Sequence, residues 1–188
     1  MAEEELRIPI DRVGALVGAS GWAKRLIEKT LGVKLKIDSN TGDVKITCED
    51  ESSAAVAMWK AKRVIEAIGL GFNPKKALLL AGDEYTLSVI DLSEYAPTKN
   101  SLIRIKGRII GRKGKARENL ERYTDTYISV YRDKIAIIGK IEDVKLAEKA
   151  IEMLIEGAEH STVYKMLERE SWRRKRDELL RKGGIPLW

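Results

Sequence analysis

Residues 18–37 can be laid over residues 111–130 at a constant offset of 93 positions, and the register holds through a loop, a helix and a strand. Gly18 falls on Gly111, Gly21 on Gly114, Ala23 on Ala116 and Lys24 on Arg117. Ile27 then meets Leu120, Glu28 meets Glu121, Lys29 meets Arg122, Leu35 meets Ile128 and Ile37 meets Val130. Self-similarity of this extent is an internal repeat, so the chain is expected to fold as two copies of one supersecondary plan. Its 188 residues leave room for two small domains.

In each copy the order reads strand, helix, glycine loop, helix, strand, strand, helix. In the first, residues 6–10 alternate apolar and polar and predict a strand, with Pro9 at its edge or end. Val13, Leu16 and Val17 share a helical face ahead of Gly18-Ala19-Ser20-Gly21. Ala23, Leu26, Ile27 and Leu31 give the next helix its apolar side, and Gly32 stops it. Residues 33–37 and 44–47 are period-two strands around turn chemistry at 38–43. Ser52 or Ser53 is placed to cap a helix running to about residue 68. The second copy places strands at 85–92, 126–131 and 135–138 and helices at 102–110, 115–123 and 143–155. Between the copies, 75–84 reads as a linker, although Ala77-Leu78-Leu79-Leu80 is apolar and needs somewhere to pack.

The two glycine loops differ in charge. The second is Gly111-Arg112-Lys113-Gly114, whereas the first carries Ala19-Ser20 between its glycines. Glycine lets the backbone turn sharply and come close to a partner. The helix that follows begins with free N–H groups and a positive dipole end, which suits a phosphate. From Arg104 to Arg117 there are seven basic residues and no acid: Arg104, Lys106, Arg108, Arg112, Lys113, Lys115 and Arg117. The whole of residues 81–157 carries 14 basic and 13 acidic side chains, so these cations are gathered at the loop and not spread over the domain. The formal net charge of +6 points to a polyanionic partner.

This pattern resembles the KH RNA-binding module of the eukaryotic type, whose GxxG loop clamps the backbone of about four unpaired nucleotides. The resemblance implies an α+β fold of tandem type I KH domains, each a three-stranded antiparallel sheet packed on three helices, followed by a C-terminal helix. The expected division is 1–74 for a first domain with a degenerate loop, 75–84 for the linker, 85–157 for a second domain with a basic loop, and 158–188 for a basic helix and tail. Many KH domains place an apolar residue three positions after the second glycine. Here those positions are Lys24 and Arg117, and the apolar anchor comes three residues later, at Ile27 and Leu120.

RNA contact is assigned to Arg108, Ile110, Gly111, Arg112, Lys113, Gly114, Lys115, Arg117 and Ile128. A weaker contact is assigned to Gly18, Ala19, Ser20, Gly21 and Lys24, where the backbone donors remain but the cations do not. For Ile109, Ile110, Ile128 and Val130 two roles stay open, an apolar floor beneath the bases or plain core. In the tail, Ser161 is placed to cap a helix over 162–182 that Gly183-Gly184 and Pro186 would end. Val163, Met166, Leu167, Leu179 and Leu180 would form its apolar side, and Trp172 either stacks on a base or packs on a domain.

The repeat, the unequal loops and the run Glu159-His160-Ser161-Thr162-Val163-Tyr164-Lys165-Met166-Leu167-Glu168 together resemble archaeal members of the partner-of-Nob-one family of ribosome-assembly factors. That resemblance implies binding to the single-stranded 3′ end of small-subunit rRNA. It also implies cooperation with a PIN-domain endonuclease, and a link to the alpha subunit of archaeal translation initiation factor two. A KH adaptor or messenger-RNA regulator is the alternative. An enzyme is not expected. There is one histidine and one cysteine, no GxxxxGK[ST], and hence no cofactor or metal motif. No apolar run approaches a membrane span, and the single Cys48 fits a reducing compartment, the cytoplasm by default.

Overall fold

The computed structural model describes residues 2–50 and 52–181. It is an α+β structure with two three-stranded antiparallel sheets. The first half runs β1 (Ala2–Arg7), α1 (Ile10–Val17), α2 (Trp22–Leu31), β2 (Lys34–Ile37), β3 (Asp43–Cys48) and α3 (Ala54–Gly69), with strand order β1-β3-β2. After the short helix α4 (Pro74–Ala77), the second half runs β4 (Tyr85–Asp91), α5 (Lys99–Ile110), α6 (Lys115–Thr124), β5 (Tyr127–Tyr131), β6 (Lys134–Lys140) and α7 (Ile141–Ile155), with order β4-β6-β5. Helix α8 (His160–Arg181) closes the described chain.

The first strand lies earlier than the apolar alternation at 6–10 indicates. Glu3, Glu5 and Arg7 project onto an open sheet face, where Glu3 pairs with Lys45 and Arg7 lies 3.3 Å from Asp43. Charge does not oppose a strand whose outward positions face water. Ile8 is buried beyond the strand's end, and Pro9, at φ −56°, stands just before α1. Ser53 stands before α3 without capping it, because the hydroxyls of Ser52 and Ser53 both donate to Asp50. In the second half α5 starts three residues earlier than the apolar pattern predicts, because Thr98 and Ser101 form a capping box.

The two sheets are covered differently. Strand β6 is buried almost throughout. Ile135 and Ile137 pack with residues of α5, α6 and α7, while Ala136 and Ile138 join the core built around α1, α2 and α3. A strand buried on both faces needs a continuous apolar run, and 135–138 supplies it. The segment expected as a linker is folded between the halves. The Asn73 side chain accepts the Lys76 N–H at 2.9 Å, Pro74 opens α4, and Ala77 and Leu80 are fully buried. A backbone contact fixes the seam further, since a Cβ on Gly71 (φ +101°) would sit 2.5 Å from Ser129 Oγ, which donates to Leu70 O at 2.8 Å.

Helix α8 begins at His160, so Ser161 lies inside its first turn, and its hydroxyl donates to Glu159 instead of capping. Val163, Met166 and Leu167 are buried against the second core, but Leu179 and Leu180 are exposed and do not extend that apolar side. Gly183-Gly184 and Pro186 lie outside the described residues. None of the described helices is long and apolar enough to cross a membrane.

Candidate nucleic-acid interface

Both glycine loops follow the same sequence of backbone turns. Helix α1 ends where the Gly18 N–H donates to Gly14 O, and α5 ends where the Gly111 N–H donates to Gly107 O, each at 2.9 Å. The first glycines then lie at φ/ψ 73/169° and 71/178°. Ser20 and Lys113 both take positive φ, at 51° and 52°, and the second glycines lie at 76/17° and 79/5°. Glycine is required at the first position because a Cβ on Gly111 would lie 2.6 Å from Ala116 Cβ. The chain thus leaves one helix, turns twice and enters the next, with the Gly114 N–H donating to Gly111 O at 3.2 Å and the Lys115 N–H to Arg112 O.

The second loop exposes three of its cations. Arg112, Lys113 and Lys115 are exposed, and Lys115 reaches Glu118 at 3.1 Å. Gly111 and Gly114 are half-buried, and Ile110 sits half-buried beside them. Arg117 is also half-buried, with its Nε shielded and no acceptor in reach among the described residues. Arg112 and Lys113 hold the centre of this cluster.

Two of the predicted contacts are elsewhere. Arg108 turns away from the loop, its Nε donating to Leu154 O at 3.1 Å and its Nη2 to Ala158 O, so it ties down the C-terminal end of α7. Ile128 is only 3% exposed and belongs to the second core, as does the fully buried Ile109. Val130 packs partly against the same core. Of the four proposed floor residues, Ile110 remains beside the loop.

The first loop has the same shape with different chemistry. Ala19 and Ser20 are exposed, Gly18 and Gly21 are half-buried, and Lys24 is half-buried on α2. Trp22 occupies the position of Lys115 in the repeat, and Arg25 that of Glu118. The indole packs against the turn, with its Nε1 2.7 Å from where a Cβ on Gly18 would stand. The Arg25 guanidinium curls over Gly21, 3.1 Å from the corresponding point. Neither residue was a sequence candidate, yet the repeat carries the signal: an aromatic and a cation replace a cation and an acid.

His160 contacts Arg108 O at 2.8 Å, and buried Cys48 contacts the Gly32 and Asp50 carbonyls. Among the described residues no group of three or more His, Cys, Asp or Glu side chains is placed to hold a metal ion. On α8, Trp172 is 74% exposed, with Lys175 Nζ 5.8 Å from its ring, and Arg174 pairs with Asp143. Burial raises the Asp143 carboxyl pKa, while Arg174 pulls it down.

Comparison with known proteins places this geometry in context. Residues 86–172 match the eukaryotic-type (type I) KH domain, in the form of the second KH domain of PNO1. A KH domain-containing protein of Methanocaldococcus jannaschii is 50% identical over 173 residues, covering 92% of this chain and 76% of that one. The RNA-binding protein PNO1 of Oryzias latipes is 34% identical over 140 residues, covering 73% and 58%. Among solved structures, Dim2p from Pyrococcus horikoshii superposes with a TM-score of 0.83 at 41% identity, covering 90% of this chain and 99% of that one. A chain of the a/eIF2alpha-aDim2p-rRNA complex from the same organism gives a TM-score of 0.85 at 40% identity, covering 92% and 95%.

Proposed function

Because the chain belongs to the PNO1 family of KH-domain proteins, we propose that it binds the single-stranded 3′ end of small-subunit rRNA and acts in maturation of the pre-ribosomal RNA. The observation that carries this is the second loop, where the exposed Arg112 and Lys113 stand side by side on a turn bracketed by two glycines. One or two backbone phosphates fill that site, and neighbouring unpaired bases run along the helices on either side. The likeness to the chain in the rRNA complex supports the choice of RNA.

In this proposal the two sheets are the centres of tandem type I KH domains, each backed by three helices: α1, α2 and α3 for residues 1–74, and α5, α6 and α7 for 85–157. The family match runs on into α8, which supports counting that helix with the second domain. RNA contact falls on Gly111, Arg112, Lys113, Gly114, Lys115, Arg117 and Ile110, with the first loop, Gly18 to Gly21 and Lys24, as a weaker extension of the path. Arg108 and Ile128 support the site from behind. The alpha subunit of archaeal translation initiation factor two is a proposed partner, by likeness to the Pyrococcus complex. A PIN-domain endonuclease would perform the cleavage, leaving this chain a binding role in the cytoplasm without chemistry of its own.

The test is competition. A labelled oligonucleotide from the small-subunit rRNA 3′ end is bound at fixed salt and challenged with excess unlabelled random single strand or duplex. Retention of the label supports the assignment. Equal displacement by random RNA would reduce the protein to a general single-strand binder, and no binding would favour an adaptor acting through protein contacts.

A further inference from the structure

The outward side of α8 is charged in a way that the helix itself disfavours. Lys165, Arg169 and Arg173 follow one another at four-residue intervals, and Trp172 and Arg176 fall on the same side. All five are exposed. Like charges four residues apart on a helix repel, so the fold alone would favour acids among them. Among the described residues Lys165 and Arg169 have no ion pair or hydrogen-bond partner. Arg173 lies 3.8 Å from Glu170, and Arg176 Nε lies 3.7 Å from Asp177.

The rest of the helix fixes it in place. Val163, Met166 and Leu167 are buried in the second core, and Tyr123 of α6 donates its O–H to Glu168 at 2.9 Å. Arg174 pairs with Asp143 and donates to Glu142 O. The fold therefore uses Arg174 and leaves Lys165, Arg169, Arg173 and Arg176 facing solvent. From Lys165 to Arg176 the charged side runs about 16 Å along the helix axis. The open indole of Trp172 lies within it.

We propose that this side of α8 is a second RNA site, separate from the glycine loops, where the cations follow the phosphates of a single strand and Trp172 stacks on one of its bases. This rests on the RNA-binding role proposed above. Charge complementarity selects a polyanion, since phosphates relieve the repulsion within the row of cations. The exposed indole selects a strand with unpaired bases, because the bases of a duplex are already stacked on one another. Stacking of this kind tolerates any base, so the site adds affinity and length of contact more than sequence preference.

The test uses the full chain, with the wild-type second loop and with Arg112→Asp/Lys113→Asp. The probe is a labelled rRNA 3′-end oligonucleotide much longer than the roughly four nucleotides that one glycine loop holds. Trp172→Ala is expected to weaken binding roughly tenfold in both backgrounds with little change in Tm. Arg169→Glu/Arg173→Glu, which touches no buried side chain, should also weaken it and lower the slope of log affinity against log salt by about 1.4. Unchanged affinity and slope for both α8 variants overturn the α8 site and leave the loop clamp standing. Loss of binding in the α8 variants with none in Arg112→Asp/Lys113→Asp supports the α8 site and overturns the clamp. If no variant affects binding, both fail. Displacement of the strand by duplex RNA or by poly-glutamate as readily as by unlabelled single strand would show a general anion surface, and would also overturn the proposal.

Discussion

Tyr131, on β5, donates its phenolic O–H to Oδ2 of Asp11, at the start of α1, over 2.6 Å, joining positions 120 residues apart. Arg132 Nη2 reaches the other carboxylate oxygen at 2.9 Å. The edge of the second sheet is thereby tied to the helix that leads into the first loop. Tyr131, and then Arg132, hold the Asp11 carboxyl below its ordinary pKa of 3.8.

A lowered carboxylate pKa stabilises the folded state above its unfolded value, and that contribution is lost as the pH falls through the folded value. Asp11→Asn is therefore expected to be slightly less stable than wild type at neutral pH, with the gap closing below the ordinary pKa of 3.8. The pair is exposed, so added salt should narrow the gap as well. Thermal unfolding across pH measures it, and a gap that persists at low pH would contradict the assignment to Asp11.

Ile137 and Ile138 are neighbours in sequence but belong to different cores. Each truncation to alanine is expected to cost about 2–5 kcal/mol. Ile138→Ala should also loosen the seam between the halves, so that limited proteolysis opens the chain around α4. Ile137→Ala should destabilise the second half and leave the seam protected. Hydrogen exchange resolved by segment separates the two outcomes.

Arg108 and Arg12 do the same work in the two halves from positions one helical turn apart in the repeat. Arg12 donates to Ile68 O and Phe72 O, each at 2.8 Å, and Arg108 donates to Leu154 O and Ala158 O. Losing charged donors to two half-buried carbonyls costs about 2–3 kcal/mol. Arg108→Ala should therefore lower the denaturation midpoint and leave RNA affinity, measured on the folded protein, nearly unchanged. A selective loss of affinity without loss of stability would return Arg108 to the binding surface.

The repeat makes the order of elements and the position of both loops readable in the sequence, because equivalent glycines, apolar anchors and strand residues carry the register. Ile27 and Leu120 are fully buried as anchors, as that register requires. The strand at 2–7 is hidden in the sequence because Glu3, Glu4 and Glu5 are three consecutive acids, which read as a polar terminus until β3 provides the partners. Arg108 reads as a loop cation because a cation near a basic loop looks the same whether it faces a ligand or a helix end. Only the position of the α7 C-terminus decides between them. The apolar run at 135–138 reads as a strand, but a sequence does not say that the core of the other half covers its second face.

The most direct measurement is the affinity of wild type and Arg112→Asp/Lys113→Asp for a labelled single strand from the small-subunit rRNA 3′ end, across a salt series. Circular dichroism first establishes that the variant is folded. Each phosphate contact removed from a single strand lowers the slope of log affinity against log salt by about 0.7. Loss of affinity with a slope shallower by about 1.4 is the result expected if both cations clamp the backbone. A folded variant that binds as tightly as wild type, with the same salt slope, would contradict RNA contact at the second loop.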